Sequence, residues 1–122
     1  MSIIVTDTGF SADPQADHAL LDLGSDTDPV AVDFSKAELI RVDFPNFADG
    51  RGFTIARQLR LRGYRGHLRA KGHVLADQYA MARRAGFDDV EISEDLAARQ
   101  PQADWLARAN WSEGDYQSRL RG

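Results

Sequence analysis

The turn Asp49-Gly50-Arg51-Gly52 is the part of this sequence best equipped to hold an anion. An arginine at the start of a helix joins a planar fork of donors to the free N–H groups of the first turn, and together these fit an oxyanion. A purely structural alternative stands beside it, in which the glycines supply turn geometry and Arg51 pairs with Asp49 or Asp43. More basic groups follow. Arg57, Arg60, Arg62 and Arg65 fall along the next helical pattern and its exit, Arg69 and Lys71 stand with His73 at the end of an apolar run, and Arg83 and Arg84 close a second helical pattern. Ligands of open parallel sheets bind beyond the carboxyl ends of the strands. Asp43, Asp49, Gly50, Arg51, Arg69, Lys71, His73, Glu91 and Ser93 are therefore expected on one rim. Asp77 and Gln78 read as polar contacts to that rim rather than as acid–base catalysts.

Other chemistries find little support. The 122 residues contain no cysteine, which removes disulfides, thiolate nucleophiles and conventional iron–sulfur ligation. His18, His67 and His73 lack metal-ligand spacing with neighbouring carboxylates, and no Ser/His/Asp order suggests a nucleophile elbow. No flavin- or haem-specific motif is visible, so neither a metal nor a cofactor is expected.

The elements that must position the rim follow from periodicity. In Leu39-Ile40-Arg41-Val42-Asp43-Phe44 apolar and polar residues alternate until Pro45, which predicts a strand. A helix capped by Thr54 is expected to run to about Arg62 and stop at Gly63. His67 to Ala70 predicts a short buried strand closed by Gly72, the segment from about His73 to Ala85 a helix stopped by Gly86, and Phe87 to Ile92 a third strand. Strand-to-strand intervals of about 25 residues, each filled by one helix, indicate right-handed parallel crossovers. The expected class is α/β: a small, mostly parallel sheet on a βαβαβ unit, with short C-terminal helices at Glu94 to Arg99 and Ala103 to Ala109. Three strands are few. The sheet needs others from the N-terminal segment or from a second copy, and a homodimer of half-barrel-like units is one solution.

Charge divides the chain. Residues 1–34 carry seven aspartates and no Lys or Arg, whereas Arg41 to Arg84 holds ten Lys and Arg residues against three acidic ones. The first segment is expected to be an irregular acidic arm, with Val30 to Phe34 as a strand, Ile3 to Val5 as an edge strand, and an apolar knot at Ala19-Leu20-Leu21. Residues 35–122 are expected to form one α/β domain, its core at about 38–93, with a C-terminal helical tail in which Trp105 and Leu106 mark an apolar face; Trp111 and Tyr116 beyond them are expected to dock back on the fold, with a partner-binding arm as the alternative. The pI of about 5.2 and the lack of aromatics among the arginines argue against nucleic acid. No apolar run approaches the roughly 18 residues of a membrane span, and the N-terminus has no secretion signal, so a cytoplasmic protein without a membrane partner is expected.

The run Phe47-Ala-Asp-Gly-Arg-Gly-Phe-Thr-Ile-Ala-Arg-Gln-Leu-Arg, with Gly66-His-Leu-Arg-Ala-Lys-Gly, Asp77-Gln78 and Ala85-Gly-Phe-Asp, resembles the bacterial domain of unknown function 934. The likeness spans roughly Asp43 to Ile92 and leaves out the acidic head and the tryptophan-bearing tail. It falls on Asp49, Gly50, Arg51, Arg57, Arg60, Arg69, Gly72, Asp77, Gln78, Gly86 and Phe87. What the resemblance implies is context: members accompany the assimilatory sulfite reductase hemoprotein. The expected function is thus a non-catalytic accessory protein of sulfite reduction, whose basic face docks on the reductase or its electron donor. The alternative is a small enzyme or sensor that binds sulfite, sulfate or phosphate at the rim.

Overall fold

The computed structural model describes residues 2–11 and 20–109. Its centre is the expected β4–α1–β5–α2–β6 unit, in which β4 is Leu39–Phe44, α1 Arg51–Leu61, β5 His67–Gly72, α2 Tyr79–Ala85 and β6 Asp89–Ser93. The alternation of β4 sends Ile40, Val42 and Phe44 to one face. Parallel register aligns Ile40 with Leu68 and Val42 with Ala70, and Ala70 with Val90, so these apolar residues share that face. Ile55, Ala56 and Leu59 of α1 and Tyr79, Ala82 and Ala85 of α2 close over it in one core.

Local hydrogen bonding moves two helix starts. Helix α1 begins three residues before Thr54, because Asn46 Oδ1 accepts from Ala48 N–H and Asp49 Oδ1 from Arg51 N–H, which forms the first turn early. The segment after β5 does not enter a helix at His73. Gln78 Oε1 accepts from Leu75 N–H at 2.8 Å and Gln100 Oε1 from Ala76 N–H at 2.6 Å. These bonds hold an extended stretch and a 3-10 turn at Ala76–Gln78 ahead of α2.

The N-terminal segment supplies three further strands: β1 (Ser2–Thr6), β2 (Gly9–Ser11) and β3 (Leu20–Leu23). The sheet order is β2-β1-β6-β5-β4-β3. β3 pairs in parallel with β4, and β1 lies between β2 and β6, antiparallel to both. Three expectations change here. β1 is an internal strand rather than an edge. The knot around Leu20 is a strand, so a boundary at residue 34 would cut through one sheet. Val30 to Phe34 is not a strand, because Asp28 caps a 3-10 turn at Pro29–Ala31 and proline at the first helical position favours that geometry. Arg62 donates to the carbonyls of Pro29 and Val32 at 2.7 and 2.8 Å, and its guanidinium lies 4.9 Å from the Phe34 ring centroid.

Helices α3 (Glu94–Arg99) and α4 (Gln102–Leu106) follow β6. Trp105 is buried, meets Tyr79 edge to face at 6.0 Å, and donates Nε1–H to Gln100 O. Burying such a side chain stabilises by about 2–3 kcal/mol. Leu106 remains exposed. Trp111, Tyr116 and His18 lie outside the described residues. No helix among the described residues is long and apolar enough to cross a membrane.

Candidate functional site at the carboxyl ends of the parallel strands

The sheet face opposite the core carries a ladder of charges. Arg41 closes on Asp22 through two bonds of 2.6 and 2.8 Å and reaches Glu91 at 3.2 Å. Arg69 grips Asp89 through Nε and Nη2 at 2.8 and 3.1 Å and also meets Glu91 at 3.4 Å, while His67 Nε2 lies 2.7 Å from Asp89. The bond from Arg41 holds Asp22 below the usual carboxylate range. Arg69 has 0 % exposure and its two carboxylate partners about as little. It sits in mid-strand, not on the rim where the sequence places it. A buried arginine satisfied in this way fixes strand register and is not available to a ligand.

Most of the other arginines are likewise engaged. Arg60 donates to the carbonyls of Gly86, Tyr64 and Gly66 at 3.0, 3.0 and 2.8 Å and pairs with Asp88. It ties the loops that enter β5 and β6, at the end of the sheet opposite the rim. Arg83 holds Asp7 and the carbonyl of Phe87.

Arg51 is exposed and forks onto Asp49 at 3.0 and 2.8 Å, with a further bond to Ser25 Oγ. Asp49 is thereby held far below its usual range. This is the pairing that the structural alternative foresaw. Gly52 has a packing role: a Cβ there would come within 2.5 Å of the Phe44 ring. Gly50 is the helix cap at φ −89°, with open space where a Cβ would stand. Asp77 is exposed and pairs with Arg108. Gln78 does contact the rim, donating Nε2–H to Phe47 O at 3.1 Å. Arg57 is exposed on α1.

Two clefts open where β3 to β6 end. The first, of about 260 Å³, is lined by Asp22, Leu23, Gly24, Arg41, Asp43 and Lys71. Lys71 faces this cleft without a close ion pair among the described residues, its charge acting on Asp22 across the same cleft. The second, of about 360 Å³, lies among the loop after β4, the end of β5 and the start of α3; its walls include Phe47, His73, Ser93, Asp95, Leu96 and Arg99.

Gly72 shapes the second cleft. Its φ of +118° suits glycine, and a Cβ would approach Phe44 O to 2.7 Å. The turn brings His73 N–H to Phe44 O at 2.9 Å and the ring Nδ1 to the same oxygen at 3.3 Å, with the Phe47 ring edge-on at 5.3 Å.

The structure thus joins Asp49, Gly50 and Arg51 in one turn, places Lys71 and Gln78 around the strand ends, and sends Arg57, Arg60, Arg69 and Asp77 elsewhere. Sequence reasoning missed Asp22, Arg41, Asp95 and Arg99. The alternation Leu21-Asp22-Leu23 and the one-turn spacing of Asp95 and Arg99 were their only signals. Among the described residues no group of three or more His, Cys, Asp or Glu side chains could hold a metal ion.

A family model described as a bacterial protein of unknown function, DUF934, matches residues 19–122. The match begins at the edge of β3 and continues to the C-terminus, so it takes in the tryptophan-bearing tail and leaves out β1 and β2. No curated protein and no solved structure matches the chain.

Proposed function

From the premise that the chain belongs to the bacterial DUF934 family, we propose that it is a non-catalytic accessory protein of assimilatory sulfite reduction, docking on the reductase or its electron donor. The observation that carries this reading is the solvent side of the helical layer. Leu61 and Met81 are 74 % and 53 % exposed there, on α1 and α2. Arg57 stands one turn before Leu61, and Arg65 lies exposed beyond the helix end. Large apolar side chains set among arginines suit a protein contact better than solvent, and an acidic partner surface would supply the complementary charge. The sulfite-reduction context comes from the family resemblance. A chain without cysteine has no thiolates for an iron–sulfur centre of its own, which favours a supporting role beside a redox enzyme.

The test is recovery of the reductase on the tagged protein from sulfate-grown cells of its bacterial source. Arg57→Glu with Leu61→Ser is expected to abolish recovery without lowering the melting temperature, since both side chains are exposed. Undiminished recovery overturns the docking reading.

One observation favours oxyanion binding instead. Lys71 and Arg41 line the first cleft, although Asp22 and Asp43 share it and oppose an anion. Calorimetric titration with sulfite, sulfate and phosphate separates the two readings, because the docking reading needs no anion to bind.

A further inference from the structure

We propose that the second strand-end cleft binds a small zwitterion, an α-amino acid with an apolar side chain. Arg99 would hold its carboxylate, Asp95 its ammonium, and Phe47 with Leu96 its side chain. This site is independent of the docking surface on the helical layer.

The position is the one that parallel sheets give to ligands, beyond the carboxyl ends of adjacent strands. The volume of about 360 Å³ lies at the small end of ligand pockets, which run from roughly 300 to 1,000 Å³. It suits a metabolite of amino-acid size.

The charges select the ligand. Asp95 and Arg99 stand one turn apart on α3, a spacing at which opposite charges ordinarily close on each other. Here both line the cleft, and neither has an ion pair with the other or with any other described residue. Two opposite charges held open side by side complement a molecule that carries both. A simple anion would be opposed by Asp95, and a simple amine by Arg99.

The remaining walls agree. With Nδ1–H donated to Phe44 O, His73 keeps a lone pair on Nε2 that can accept from an ammonium group. Ser93 Oγ accepts from Leu96 N–H, so its hydroxyl proton is still available to a carboxylate. Phe47 is 39 % exposed, and its backbone is held by Gln78. Gly72 and Gln78, otherwise without a chemical role, thus both build this cleft.

The test is titration of the ¹⁵N-labelled full-length protein with L-phenylalanine and L-leucine, followed by amide shifts at His73, Ser93 and Leu96. Its controls are 3-phenylpropionate and 2-phenylethylamine. Saturable shifts are expected for the amino acids. Each control should bind about 10-fold more weakly or worse, having lost one charge-assisted contact. Arg99→Gln should reduce L-phenylalanine to the level of the amine, and Asp95→Asn to that of the acid, with unchanged melting temperatures. Absence of saturable shifts, equal binding of the controls, or unaltered binding by both variants overturns the proposal.

Discussion

The two ends of the parallel strands draw on the same residue types and use them in opposite ways. At the amino ends, Arg60 engages three carbonyls and a carboxylate, and His67 is bound to Asp89. At the carboxyl ends, Lys71, Asp95 and Arg99 line clefts without ion-pair partners among the described residues, and His73 is held by one ring nitrogen only. A latch and a site can therefore be equally rich in charge. What separates them is whether the backbone nearby needs its hydrogen bonds completed.

The sharpest way to break this contrast is to remove the arginine most fully committed to structure. Arg69→Met leaves Asp89 short of its principal cation and Glu91 with Arg41 in place of two arginines, and is expected to cost about 3–5 kcal/mol in urea unfolding. Adding Asp89→Asn should return part of that loss. If the single variant is as stable as the parent, the ladder does not hold the sheet.

A smaller effect is expected at the latch. Arg60→Ala strands the carbonyls of Tyr64, Gly66 and Gly86, though Arg60 is partly exposed and water can replace some bonds. A loss of about 2 kcal/mol is expected, read from the same unfolding curves. An equal loss from Arg99→Ala would erase the distinction between the two ends.

The smallest effect concerns acid. Because Arg41 lowers the folded-state pKa of Asp22, the pair contributes stability that is fully present above the unfolded value of about 4. That stability is lost as pH falls through the lowered folded value. Asp22→Asn should flatten this limb of the stability profile. Since the Asp22 side chain is 56 % exposed, 1 M salt should flatten it as well.

The β4-to-β6 unit was legible because its signals are local: alternation in β4, and glycines where α1 and α2 stop. β3 was hidden. Its strand contains Asp22, whose charge is compensated by Arg41, nineteen residues away, and no local pattern announces such a partner. Pro29 after Asp28 did announce a capped turn, but the apolar spacing from Val30 to Phe34 masked it. The site was half legible. The strand-end rule pointed to the rim, and Gln78 touches it through an exposed bond rather than a buried one. Arg69 went astray because only cross-strand neighbours reveal that a strand's second face is buried too. Asp95 and Arg99 fall within the short helix predicted at Glu94 to Arg99 and nothing local singles them out, since their failure to pair is a property of three dimensions.

β1 pairs Ser2 with Ser93 and Val5 with Val90, so a strand that precedes the other described strands in the chain finds its place beside the one that follows them. Until β6 emerges, Ile3, Ile4 and Val5 have, among the described strands, the short hairpin partner β2 alone. Synthesis therefore leaves an apolar strand waiting until β6 has been made, and the sheet closes only after the two βα crossovers between them.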